Sequence, residues 1–107
     1  VNVVLAKAKA IIQEEVEKAG LRLRQVLLFG SRARGETHPD SDWDFLVIVD
    51  LAPERATRLR LETRIGVRLV LERLPSDVLI LSEDQFARQR KDVGYITYYA
   101  AKESVVL

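Results

Sequence analysis

Apolar residues return at helical spacing near the start of the chain: Leu5, Ala8, Ile12, Val16 and Ala19, with Lys7, Glu14, Glu17 and Lys18 on the other faces. This predicts an amphipathic helix over residues 3–19, supported by the Glu14–Lys18 pair one turn apart and stopped at Gly20. The pattern then changes. Gln25 to Phe29 is a short, nearly continuous apolar run ended by Gly30, the mark of a strand covered on both faces. From Gly30 to Ser41 the chain is at its least hydrophobic, which predicts a turn or short helix followed by a loop. Asp42 to Val49 reads as a second strand. Pro53 opens a long charged segment to about Arg73, mostly helical by pattern, although Val67, Leu69, Val70 and Leu71 also suit a strand. Pro75-Ser76 breaks it, and Asp77 to Leu81 is a third strand. Ser82 followed by Asp84 and Gln85 predicts a capped helix from Glu83 to about Arg90. The tail carries Tyr95, Tyr98 and Tyr99 and ends in Val105-Val106-Leu107, a candidate last strand. Alternating helices and strands predict the α/β class.

Composition narrows what such a domain can do. At 107 residues, one domain over residues 1–107 is expected. With no cysteine, disulfides, thiolate nucleophiles and zinc-thiolate sites are excluded. The single histidine, His38, reads as a loop residue and cannot supply a two-histidine metal site. Seventeen basic residues nearly balance sixteen acidic ones, so the net charge of +1 gives no reason to expect nucleic acid as the main partner. No apolar stretch approaches the roughly 18–20 residues that cross a bilayer, and residues 1–10 lack the pattern of a secretory signal. A cytoplasmic protein without a membrane partner is the expectation.

The chemistry-bearing stretch is Gly30-Ser31-Arg32-Ala33-Arg34-Gly35, followed by Asp42-Trp43-Asp44. On a strand, residues i and i+2 share a face at roughly 6.5–7 Å, so Asp42 and Asp44 project together while Trp43 turns toward the core. Two carboxylates that close repel each other unless a cation lies between them, and all-oxygen ligands suit magnesium or manganese. A two-metal site, with ions about 3.5–4 Å apart, matches this spacing and suits in-line displacement at phosphorus. Two other motifs fail on single residues. Asp40, Asp42 and Asp44 resemble the start of a calcium-binding EF-hand loop, but Phe45 and Leu51 stand where glycine and glutamate are needed. Gly30 to Gly35 has P-loop spacing, but Glu36 and Thr37 follow where lysine and serine or threonine are required. What Gly30 does offer is a strand end without a Cβ, where backbone amides can approach a phosphate. Ser31 adds a hydroxyl, and a helix starting there would aim its positive end at the anion. Arg32 and Arg34 stand beside this cradle, either able to neutralise phosphate charge or to remain a solvated turn residue.

Gly30-Ser31, ten intervening residues and Asp42-x-Asp44 resemble the signature of the DNA polymerase beta-like nucleotidyltransferase superfamily. The fuller string Leu28-Phe29-Gly30-Ser31-Arg32-Ala33-Arg34-Gly35, with Pro39-x-Ser41-Asp42-x-Asp44, resembles the minimal nucleotidyltransferase (MNT) family. The resemblance implies the nucleotidyltransferase fold, a small mixed β-sheet flanked by helices, with Gly30 and Ser31 holding the triphosphate and Asp42 and Asp44 binding magnesium, two ions being expected. It also implies a third carboxylate from a later strand that completes the metal site and helps deprotonate the acceptor. Asp77, heading the third strand, is the choice, with Glu72 as the rival.

The resemblance further implies ATP as co-substrate and an antitoxin role, with AMP transferred to a tyrosine of a HEPN-domain toxin partner. Two alternatives stand beside it: an occluding antitoxin that neutralises its toxin without catalysis, and a nucleotidyltransferase acting on a small molecule such as an aminoglycoside. So small a site lacks a cover of its own, which suits a homodimer or a hetero-oligomer with the toxin. No residue identifies the base.

Overall fold

The computed structural model describes residues 2–36 and 41–107. The loop reading of His38, and the parts given to Thr37, Pro39 and Asp40 in the motifs above, lie outside the described residues. In chain order the elements are α1 (Asn2–Lys18), β1 (Leu23–Phe29), α2 (Ser31–Arg34), β2 (Trp43–Val49), α3 (Arg55–Leu71), β3 (Ser76–Ser82), α4 (Glu83–Gln89), α5 (Ile96–Glu103) and β4 (Val105–Val106).

The sheet has the order β3-β2-β1-β4. β1 pairs antiparallel with both β2 and β4, while β2 and β3 run parallel, so the sheet is mixed, as the family resemblance implied. Strand parity sorts the side chains into two cores. Val26, Leu28, Phe45, Val47, Val49 and Ile80 face α1 and α3, where they meet Ala8, Ile12, Val16, Leu61, Ile65 and Leu69. Leu27, Leu46, Ile48 and Leu81 face the other way, onto Phe86 of α4 and Ala101 of α5. The β2 run is therefore continuously apolar because both its faces are covered.

α3 settles the ambiguity over residues 67–71. Leu61, Ile65 and Leu69 fall four apart on the buried stripe, while Val67, Val70 and Leu71 project outward. The helical period of the buried set prevails over the strand preference of the exposed valines. α4 opens with a reciprocal cap: Gln85 N–H donates to Ser82 Oγ at 3.1 Å, and Ser82 N–H donates to Gln85 Oε1 at 2.9 Å. The tail contains a helix that the sequence reading did not assign. α5 is anchored by buried Thr97 and Ala100, with the Thr97 hydroxyl donating to Gln89 Oε1 at 2.9 Å. The last strand is β4, which pairs Val105 and Val106 with β1.

Antiparallel pairing brings the end of β1 beside the start of β2, and parallel pairing adds the start of β3. One end of the sheet thus gathers Gly30-Ser31, Asp42-x-Asp44 and Asp77.

Candidate active site

Phe29 and Asp44 are direct partners in the β1–β2 ladder, and Asp44 and Asp77 are direct partners in the β2–β3 ladder. The register is pinned at this end by Trp43 N–H, which donates to the Pro75 carbonyl at 3.0 Å. Asp44 and Asp77 share the sheet face that carries Leu46, Leu79 and Leu81, opposite the side taken by Trp43 and Phe45. Trp43 is half-buried against the α1–α3 core, its ring parallel to Phe45 at 6.4 Å, in keeping with its strand parity.

Gly30 adopts φ 75°, ψ −160°, a region that side-chain-bearing residues essentially never occupy. A Cβ there would run into the Asp44 carboxylate, so glycine is required both by the backbone and by the neighbour. Gly30 then caps α2, whose first residue is half-buried Ser31. The Gly30 carbonyl accepts from Ala33 and Arg34 N–H, and the turn closes through Gly35 N–H to Ser31 O. Such a short helix leaves its first N–H groups without intrahelical acceptors.

Asp44 is half-buried; Asp42 and Asp77 are exposed. Desolvation holds the Asp44 carboxyl above its ordinary pKa, the charges of Asp77 and Asp42 push the same way, and Arg34 opposes them. Among the described residues no three acidic or histidine side chains are drawn into a ready-made metal cage. The donors nevertheless fit a hard divalent cation: they are all carboxylate oxygens, and their mutual repulsion at Asp44 is what such a cation relieves. The rival Glu72 is turned toward the helical layer, where its Oε2 lies 2.7 Å from Lys7 Nζ.

The two arginines take different partners. Arg32 donates through Nε and Nη2 to the Ser41 carbonyl at 3.1 and 2.8 Å, and its guanidinium sits 4.3 Å from the Trp43 ring centre. It ties the Gly30–Gly35 turn to the segment entering β2. Arg34 bonds Glu103 Oε2 at 3.1 Å and Glu36 Oε2 at 3.3 Å, and these carboxylates raise its guanidinium pKa.

Two clefts meet at Asp44. One, of about 280 Å³, is lined by Gly30, Arg34, Asp44, Ile96, Tyr99 and Glu103, among others. The other, of about 250 Å³, runs past Asp77, Val78 and Leu79 and shares Phe29, Asp44 and Ile96 with the first. This geometry coincides with what a family comparison finds: the sequence model of the nucleotidyltransferase domain matches residues 6–100. The chain belongs to the nucleotidyltransferase domain family. Enzymes of this family use a nucleoside triphosphate and a divalent metal.

Two crystal structures resemble this nucleotidyltransferase in fold. One, a toxin–antitoxin with AMP-PNP, is 18% identical at a TM-score of 0.57, the match covering 91% of this chain and 69% of that one. The other, the toxin–antitoxin MntA–HpeT carrying two Asp-to-Glu exchanges, is 17% identical at 0.57, covering 92% and 70%. No curated protein sequence matches.

The residues that sequence reading missed are those of α5: Ile96, Tyr99 and Glu103, on one side of the helix, form a wall of the nucleotidyltransferase cleft. The available signal was the spacing of buried Thr97 and Ala100, too short a pattern to separate a helix from a loop.

Proposed function

We propose that this nucleotidyltransferase is of the minimal, antitoxin type and transfers AMP from ATP to a tyrosine of a HEPN-domain toxin partner, silencing it. One observation carries the reading: the backbone of Gly30 stands against the Asp44 carboxylate with Asp77 paired alongside, so the glycine turn and the acidic residues share one end of the sheet. The toxin–antitoxin neighbours of the same fold, one of them with AMP-PNP, support the choice of partner and nucleotide.

In this reading the amides at Gly30 and Ser31 receive the triphosphate, with the Ser31 hydroxyl beside them and Arg34 at the cleft wall. Asp42, Asp44 and Asp77 would hold magnesium, as two ions in this reading, and magnesium bound there would neutralise the triphosphate and the departing pyrophosphate. The acceptor tyrosine lies in the cleft beside Asp77. Its phenolic oxygen bonds to the α-phosphorus as the bond to pyrophosphate breaks, and an Asp77 carboxylate oxygen takes the phenolic proton. Arg32 keeps the cradle and the Asp42 segment in fixed relation.

The test uses the purified protein, labelled ATP, magnesium and the candidate toxin, with Asp42→Asn alongside. Label on the toxin that disappears in the variant supports the reading. Neutralisation without ATP that survives Asp42→Asn would replace catalysis by occlusion.

A further inference from the structure

Tyr99 and Ile96 are large apolar side chains left in the open, with 56% and 64% of their surfaces exposed. They stand one helical turn apart on α5 and line the same cleft as Gly30, Arg34 and Asp44. The walls of that cleft differ: the strand ends bring strained Gly30, Arg34 and Asp44, with Phe29 beside Asp44 in the ladder, while α5 brings Ile96, Tyr99 and Ala100 together with Glu103, which is paired to Arg34 at 3.1 Å. The Tyr99 ring is also oriented. Tyr98 meets it edge-on at 5.1 Å and 82°, and Lys102 Nζ lies 4.5 Å from the centre of the Tyr98 ring. Buried Thr97 and Ala100 fix the helix beneath. An exposed aromatic ring held in place loses little freedom when a flat ligand covers it.

We infer that Tyr99, with Ile96, is the platform on which the nucleoside of the triphosphate stacks. The inference rests on the nucleotidyltransferase reading above and adds the side of the cleft the base occupies. A ligand with a polyanionic end and a flat apolar end fits the cleft with its phosphates toward Gly30 and Arg34 and its base against Ile96 and Tyr99 of α5. Stacking uses the π-face that every base has, so this platform binds ATP and GTP alike and does not choose between them.

The experiment is calorimetric titration, with magnesium, of ATP and of inorganic tripolyphosphate into the wild type, Tyr99→Ala and Tyr99→Phe. Loss of one stacking contact weakens ATP about ten-fold in Tyr99→Ala, roughly 1.4 kcal/mol. Tripolyphosphate, which has no base, keeps its wild-type affinity in that variant, and Tyr99→Phe restores ATP binding. Equal ATP affinity in the wild type and Tyr99→Ala overturns the platform and leaves the nucleotidyltransferase reading standing. Loss of both ligands in Tyr99→Ala also overturns it, since Tyr99 would then be supporting the cradle rather than the base. A wild type that binds neither ligand removes both readings together.

Discussion

Replacing Gly30 with alanine perturbs backbone and site at once, and the two effects can be separated. At φ 75°, ψ −160° a side chain costs about 1–3 kcal/mol of backbone strain. The new methyl would also overlap Asp44 Oδ2 and lie only 3.1 Å from its Cγ and 3.4 Å from its Cβ. The short Asp44 side chain has to rotate away, which carries its carboxylate out of line with Asp77. A displacement of about 1 Å in a reacting constellation can lower the rate on the order of a hundred-fold. Gly35→Ala is the matched control. Gly35 also has positive φ, 77° with ψ 9°, but a Cβ there meets nothing within 4 Å. Its cost is the left-handed backbone alone, about 1–2 kcal/mol. Urea unfolding gives the stability of each variant, and initial rates of labelled nucleotide transfer at a temperature where both stay folded give the activity. The expected result is a similar loss of stability in the two, with the steep loss of rate confined to Gly30→Ala. Equal rates in the two variants would refute the claim that Gly30 is glycine for the sake of Asp44.

Asp44→Asn should raise the metal-free melting temperature near neutral pH. A carboxyl whose folded pKa is raised opposes folding above that pKa and ceases to do so as the pH falls through it, so the gap between variant and wild type should close on acidification, followed by melting in chelator. Asp50 has the opposite sign: hydrogen bonds from backbone amides, that of Arg22 first at 2.9 Å, hold its carboxyl below the ordinary value. Its stabilisation is present above the ordinary carboxylate range and is lost as the pH falls below it, so Asp50→Asn should flatten the acid limb of the stability curve. Arg68→Ala should lower the stability measured in urea, because Glu15, only 3% exposed, loses its 2.8 Å hydrogen bond and is left with the longer contacts of Lys18 at 3.8 Å and Arg64 at 3.9 Å. Leu69→Ala, at the centre of the α1–α3 core, should cost about 2–5 kcal/mol in the same assay while sparing the cleft.

Much of this molecule is written locally. The period of Leu5, Ala8, Ile12 and Val16 specifies α1, the apolar run before Gly30 specifies β1, and the alternation through Asp42-Trp43-Asp44 sends the two carboxylates one way and the indole the other. These features depend on chain geometry over a few residues, so no knowledge of neighbours is needed to read them. The third carboxylate is different. Asp77 and Glu72 are five residues apart and both carry a carboxylate; the parallel register sets Asp77 beside Asp44, while Lys7 draws Glu72 to the opposite layer. Arg32 and Arg34 likewise look equivalent in the motif, yet one stacks on Trp43 and the other reaches Glu103, sixty-nine residues away. The wall formed by Ile96 and Tyr99 exists only because α5 packs on the sheet face that carries Asp44. Pairing register and the choice of which helix covers which face are set by burial summed over distant segments, and that sum exists only in the folded chain.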